Sequence, residues 1–152
     1  MGKEALIMFN QLYVQTEYSL LQSSCKIMPL VDRLKSDEIK ACAICDEGTM
    51  YGTIKFYQAC KKNNIKPIIG LAVDYIYDEV KSRIILYAMN EFGYKNLMKI
   101  SSRIKLNNGT VDFEYLAKTS LGVLAIIPYT ESVLYKYDLH KDISSSIVSG
   151  PF

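Results

Sequence analysis

The feature that most constrains this chain is a short, almost uncharged run, Ile39-Lys-Ala-Cys-Ala-Ile-Cys45, set between two stretches with helical periodicity. Apolar residues without polar alternation over such a length are the pattern of a strand covered on both faces. Upstream, Ile27, Leu30, Val31 and Leu34 fall at i, i+3, i+4 and i+7, one face of a helix that ends near Ser36, with Ser23 or Ser24 as its cap. Downstream, Asp46-Glu47-Gly48 ends the strand, and a second helix is predicted from about Met50 to Lys62. Its inward positions are Ile54, Tyr57 and Ala59 or Cys60, and Asn63-Asn64 closes it.

The same reading extends in both directions. Leu6 to Gln15 alternates in part and predicts a first strand, joined to the first helix by a loop from Thr16 to Ser24. Pro67 to Tyr77 and Arg83 to Met89 are strand-like, and the polar link Asp78 to Ser82 is too short for a helical crossover, so the two form an antiparallel hairpin. Asn90 caps a third helix to about Lys105, with Leu97, Ile100, Ser101 and Ile104 on one stripe and Asn107-Asn108-Gly109 as the exit turn. A short helix near Phe113 to Lys118 and a strand from Gly122 to Ile127 follow, and Tyr129 to Leu139 reads as helical. Strands alternating with helices predict an α/β fold with a mainly parallel sheet and one hairpin. At 152 residues, one core is expected, with residues 1–127 as the domain and 128–152 as its part-helical tail.

Composition narrows the chemistry. The chain has one histidine, His140, so a His-rich metal site is excluded, and His140 has no evident Cys, Ser or Asp partner nearby. Four cysteines stand at 25, 42, 45 and 60; Cys42 and Cys45 form a C-x-x-C, but within the apolar strand, which favours reduced packing residues over redox chemistry. The apolar run Ala5 to Phe9 is too short for a signal-peptide core or a membrane span, so a cytoplasmic protein with no membrane partner is expected.

In a sheet of this kind, function gathers at the carboxyl ends of the strands, here Tyr13 to Tyr18, Cys45 to Met50 and Gly70 to Asp74. Those segments carry a resemblance. Tyr13-Val-Gln-Thr-Glu-Tyr-Ser-Leu-Leu21, Ala41-Cys-Ala-Ile-Cys-Asp-Glu-Gly-Thr-Met-Tyr-Gly52, Lys55-Phe-Tyr-Gln-Ala-Cys-Lys-Lys62, Ile65-Lys-Pro-Ile-Ile-Gly70 and Leu86-Tyr-Ala-Met-Asn-Glu-Phe-Gly-Tyr-Lys-Asn-Leu-Met-Lys-Ile100 together resemble one family. It is the PHP (polymerase and histidinol phosphatase) domain found at the N-terminus of the bacterial replicative DNA polymerase III alpha subunit. Several separated motifs in one order make the resemblance specific over about residues 6 to 127.

The resemblance implies a distorted, TIM-like (β/α)7 barrel, of which this chain would be the first part, the barrel continuing beyond Phe152. Family members with a working site are phosphoesterases whose histidines and carboxylates hold a metal cluster that activates water. Aligned by motif, the family's His-x-His pair falls on Tyr13 and Gln15, and the histidine of its Asp-His-Gly turn falls on Glu47. The glutamate after Pro-Ile-Ile-Gly falls on Ala72 and the histidine opening the next strand on Arg83. Asp46 alone keeps a ligand, with Glu47 and Glu17 as further carboxylates nearby in sequence, and Tyr13, Tyr18 and Tyr51 are expected around a vestigial pocket. The implied role is therefore architectural: no catalytic residue and no cofactor in this chain, with Mg²⁺ belonging to a separate palm domain of the parent polymerase.

Charge adds one local signal. Residues 48–73 carry Lys55, Lys61, Lys62 and Lys66 with no acid, and residues 92–111 carry Lys95, Lys99, Arg103 and Lys105 with no acid. Lys95, Lys99 and Arg103 stand at i, i+4 and i+8 on one helix face, the spacing of a phosphate-contacting stripe as well as of a solvated surface. The expected partners are the remaining polymerase domains, a second copy of the partial barrel, and the DNA backbone. The rival readings are a small metal-dependent phosphoesterase with altered ligands and a stand-alone nucleic-acid-binding module.

Overall fold

The structure is a computed structural model that describes residues 9–131 together with Val133 and Tyr135. The predicted order is largely present: α1 (Ile27–Ser36), β1 (Ala41–Glu47), α2 (Thr53–Lys62), β2 (Lys66–Tyr77), β3 (Val80–Ala88), α3 (Glu91–Leu106), β4 (Val111–Asp112), α4 (Phe113–Lys118) and β5 (Val123–Ile126). A single 3₁₀ turn covers Tyr129–Glu131. Val133 and Tyr135 are helical, as expected within 129–139; the other positions of that span beyond Glu131, residues 6–8 of the first strand, and His140 lie outside the described residues.

The sheet runs β1-β2-β3-β5 and is mixed rather than mainly parallel. β1 and β2 are parallel because α2 provides a crossover between them, whereas the β2–β3 connection is a two-residue turn, which forces antiparallel pairing. β5 then returns antiparallel to β3 after the α3–β4–α4 excursion. The brief β4 pairs parallel with Tyr75 and Ile76 of β2, further along β2 than the last residue paired with β1.

The predicted first strand is reduced to one parallel bridge, Gln11 to Cys42. It still lies along β1, because Ala43 N–H donates to Gln11 O at 2.8 Å and Cys45 N–H to Val14 O at 2.7 Å. At α1, Lys26 holds the N-cap position and no side chain caps the helix. Ser23 instead closes its own loop, donating to Gln15 O and accepting from Cys25 N–H. At α2 the inward face is Phe56, Ala59 and Cys60, while Ile54 and Tyr57 are exposed. The expected phase was one residue off, since Phe56 rather than Tyr57 is the larger purely apolar group and takes the core position. Asn90 caps α3 as predicted, its Oδ1 accepting from Gly93 N–H at 3.0 Å. Gly93 is obligatory there: a Cβ would stand 1.8 Å from the Gly122 carbonyl oxygen.

Register sorts the residues onto two faces. Cys42 and Ile44 of β1, Leu71 and Val73 of β2, and Ile84 and Leu86 of β3 share one face, and all four helices pack there. Ile27, Val31 and Leu34 of α1 meet Phe56 of α2 over β1, and Leu97, Ile100 and Ile104 of α3 meet Leu116 of α4 over β2 and β3. The opposite face carries a smaller cluster of Ala43, Cys45, Ala72, Ile85 and Tyr87. There the Tyr87 hydroxyl donates to Leu12 O at 2.7 Å, fastening the residues before Thr16 to the sheet.

Candidate functional site

The carboxyl end of β1 presents two adjacent carboxylates, and strand alternation sends them to opposite faces. Asp46 points to the helix-covered side and is buried, 2 % exposed. Its Oδ1 accepts from Thr16 N–H at 2.6 Å and from the Ser19 hydroxyl at 2.7 Å, and its Oδ2 accepts from the Thr16 hydroxyl at 2.7 Å. The Ser19 hydroxyl oxygen in turn accepts from Glu47 N–H at 3.1 Å. A buried carboxylate must be met by donors of this kind, since leaving it unpaired costs several kcal/mol. Gly52 makes room for the arrangement, because a Cβ there would stand 2.7 Å from the Tyr18 ring and 3.3 Å from Asp46 Oδ2.

Glu47 points to the other face and meets Arg83, whose Nη2 donates to Glu47 Oε1 at 2.7 Å. Arg83 Nε donates to Asp74 Oδ1 at 2.8 Å and lies 3.4 Å from Glu131 Oε2, and Lys81 pairs with Asp74 Oδ2 at 2.8 Å. Asp74 and Arg83 are direct cross-strand partners in the hairpin register. Burial pushes the Asp74 carboxyl up, but hydrogen bonds from Arg83 and Lys81 outweigh it and hold the group below the usual carboxylate range. The hydrogen bond to Asp74 strengthens the guanidinium's hold on its proton. Burial raises the Tyr13 phenol, opposed in part by the field of Arg83.

The six positions singled out from sequence are therefore divided. Glu47 and Arg83 are bonded to one another, with Tyr13 within their electrostatic reach. The Gln15 amide donates to the Tyr13 hydroxyl at 3.1 Å, and Ala72 is buried in the small cluster. Asp46 is separated from all of these by the sheet. Glu17 is drawn off to an exposed pair with Lys55 at 3.1 Å, Tyr18 packs at Gly52, and Tyr51 is exposed. Among the described residues, no group of three His, Cys, Asp or Glu side chains is placed to hold a metal ion. A cavity of about 230 Å³ opens beside Glu47 and Asp74, lined also by Gly48, Ile104, Lys105 and Gly109.

The cysteines are free, and Cys42, Cys45 and Cys60 are buried. Burial pushes Cys42 and Cys45 up to about 12 and Cys60 up to about 11, so all three are thiols at neutral pH and poor nucleophiles. Thr16, Ser19, Asp74 and Glu131 were not anticipated from sequence. Asp74 was within reach of it: a two-residue turn at Asp78-Glu79 sets Asp74 opposite Arg83, whereas a longer link hides that pairing.

Comparison with known proteins decides the lineage. The family model for the PHP domain matches residues 11–146, nearly the whole chain. The chain belongs to the PHP domain family. Among curated relatives, the DNA polymerase III subunit alpha of Halalkalibacterium halodurans is 37% identical over 123 residues, covering 78% of this chain and 11% of that protein. The Staphylococcus aureus subunit is 36% identical over 137 residues, covering 86% of this chain and 13% of that protein. The Helicobacter pylori subunit is 38% identical over 130 residues, covering 77% of this chain and 11% of that protein. This PHP domain thus spans about a tenth of the length of the relatives it matches. A solved amidohydrolase from Chromobacterium violaceum shares 15% identity at a TM-score of 0.49 over 64% of this chain and 34% of that one, a likeness too slight to argue from. No helix among the described residues is long and apolar enough to cross a membrane.

Proposed function

We propose that this PHP domain is the N-terminal portion of a replicative DNA polymerase III alpha subunit, with a degenerate metal site and an architectural role. The observation that carries the reading is Arg83. A metal cluster needs converging lone pairs, and here a fixed cation occupies the space between Glu47 and Asp74, donating to one oxygen of each at 2.7 and 2.8 Å. Lys81 meets the second Asp74 oxygen, and of these four oxygens Glu47 Oε2 alone is left buried without a hydrogen-bond partner among the described residues. The only other aligned carboxylate, Asp46, has both oxygens committed to Thr16 and Ser19 on the far side of the sheet. The residues present do not fit a PHP-type metal centre, and no hydrolytic step is assigned to them.

The described sheet is read as the opening portion of a TIM-like barrel, its small-residue face corresponding to the barrel interior. The β5 edge supports this: Leu124 and Ile126 are 45% and 43% exposed on a strand with no described partner beyond it. Further strands of a longer polypeptide, or a second copy of this chain, would cover such an edge. Polymerisation, with its Mg²⁺, belongs in this reading to a separate palm domain of the parent subunit, and the protein is cytoplasmic.

Metal content is the deciding experiment. Mass spectrometry of the purified chain, before and after dialysis against Zn²⁺ or Mn²⁺, is expected to find well below one ion per chain. Two or three retained ions with Mn²⁺-dependent phosphatase activity would overturn the reading in favour of a phosphoesterase with altered ligands. Light scattering is expected to show concentration-dependent association; a strict monomer at high concentration would remove the exposed-edge argument.

A further inference from the structure

The outer face of α3 bears features that the site above does not use. Lys95, Lys99 and Arg103 lie on successive turns of one helix face, separated by about 6 Å along its axis. They line a shallow groove of about 590 Å³ together with Met98, Leu106 and Tyr115, the last contributed by α4. Among the described residues, no acidic side chain lines it. Lys95 is engaged by Glu91 at 2.7 Å, but that pair is exposed and exchanges readily for another anion. Lys99 makes only a 3.3 Å contact with the neutral Asn96. The Arg103 guanidinium lies over the Tyr115 ring, 5.5 Å from its centroid.

We propose that this groove seats a short stretch of single-stranded nucleic acid. Cations about 6 Å apart along the helix suit successive phosphates of an extended strand, and the apolar floor of Met98 and Leu106 suits bases or sugars rather than more charge. Arg103 is the discriminating residue. Placed over Tyr115, its guanidinium and that ring together offer a surface for a base to stack on, a mode for which an acidic peptide has no counterpart. The adjoining groove beyond Arg103 carries three acids, Asp78, Asp112 and Glu114, against Lys118 and Arg103 itself, which makes it less favourable to a phosphate strand than the Lys95–Arg103 side. The proposal is independent of the polymerase reading and of any metal, so either can fail without the other.

The test is fluorescence anisotropy of a labelled dodecathymidylate with the intact chain, titrated at 50 to 200 mM salt. Three phosphate contacts predict about a 20-fold loss of affinity across that range. In Lys99→Gln/Arg103→Gln the loss should shrink to about threefold, with weaker binding at low salt. Lys35→Gln, an exposed charge at the end of α1, should match the native chain. Equal weakening by Lys35→Gln, an unchanged salt slope in the double variant, or complete displacement by polyglutamate at equal charge would each overturn the proposal. Circular dichroism of the two variants, whose substitutions are all at exposed positions, confirms folding independently of binding.

Discussion

Asp46 and Glu47 are consecutive residues at the end of one strand, and the sheet between them makes them chemically unlike. Asp46 is sealed among helices and satisfied by uncharged donors, a backbone N–H and two hydroxyls. Glu47 sits on the partly open face and meets, through one oxygen, a cation that it shares with Asp74, its other oxygen being buried without a hydrogen-bond partner among the described residues. One carboxylate organises the backbone around it; the other balances charge. The difference shows that a family's motif position and its chemistry separate readily, because alternation along a strand assigns neighbours to environments that share nothing but the chain.

The contrast breaks most sharply at Asp46. Asp46→Ala strands three buried donors, and loss of about 3–4 kcal/mol is expected from urea unfolding followed by circular dichroism. A loss below about 1 kcal/mol would mean that water enters and replaces the carboxylate. Arg83→Ala is the matching cut on the other face, expected to cost about 2 kcal/mol at pH 7 because Glu47 and Asp74 are only partly buried. Its pH dependence sharpens the comparison. Asp74 is depressed in the folded chain, so its contribution is present above the unfolded carboxyl pKa, about 3.9, and is lost as pH falls through the folded value. Native stability should therefore fall more steeply below pH 4 than that of Arg83→Ala, and parallel curves would dismiss the ion cluster as the cause. The smallest effect is expected at the turn that sets the Asp74–Arg83 register. Asp78 and Glu79 both adopt positive φ, 48° and 62°, the conformation that Asn-Gly takes with less strain. Asp78→Asn/Glu79→Gly should raise the thermal midpoint by an amount corresponding to about 1 kcal/mol, leaving the Arg83 pairs intact.

Much of the fold was legible because the core elements announce themselves by period. The stripe Leu97, Ile100 and Ile104 in α3 and the apolar run of β1 were read with little error, as was the Asn90 cap. The sheet's mixed character was harder to read, since the direction of β5 depends on where α3, β4 and α4 deliver the chain and leaves no local mark. The α1 cap failed for a different reason: Ser23 has a competing backbone acceptor at Gln15, a contact across the loop that helix-start chemistry does not anticipate. At the site, motif alignment found Glu47 and Arg83 and the sheet brought them together, but it grouped Asp46 with them, because it ignores which face a residue takes. Thr16 and Ser19 were invisible, being ordinary loop residues until Asp46 is buried beside them.

The tie between Thr16 and Asp46 spans thirty residues and encloses α1. Closing a loop of that length carries a modest entropic penalty, and β1 needs a similarly short reach to pair with β2. The backbone pairings of the first half of the chain are thus of low sequence separation, which favours rapid formation, with the Tyr87–Leu12 hydrogen bond added later. On a ribosome, the loop around α1 is available for closure before the β2–β3 hairpin has been synthesised, so assembly can proceed in the order of translation, with β5 the last of the described strands to arrive.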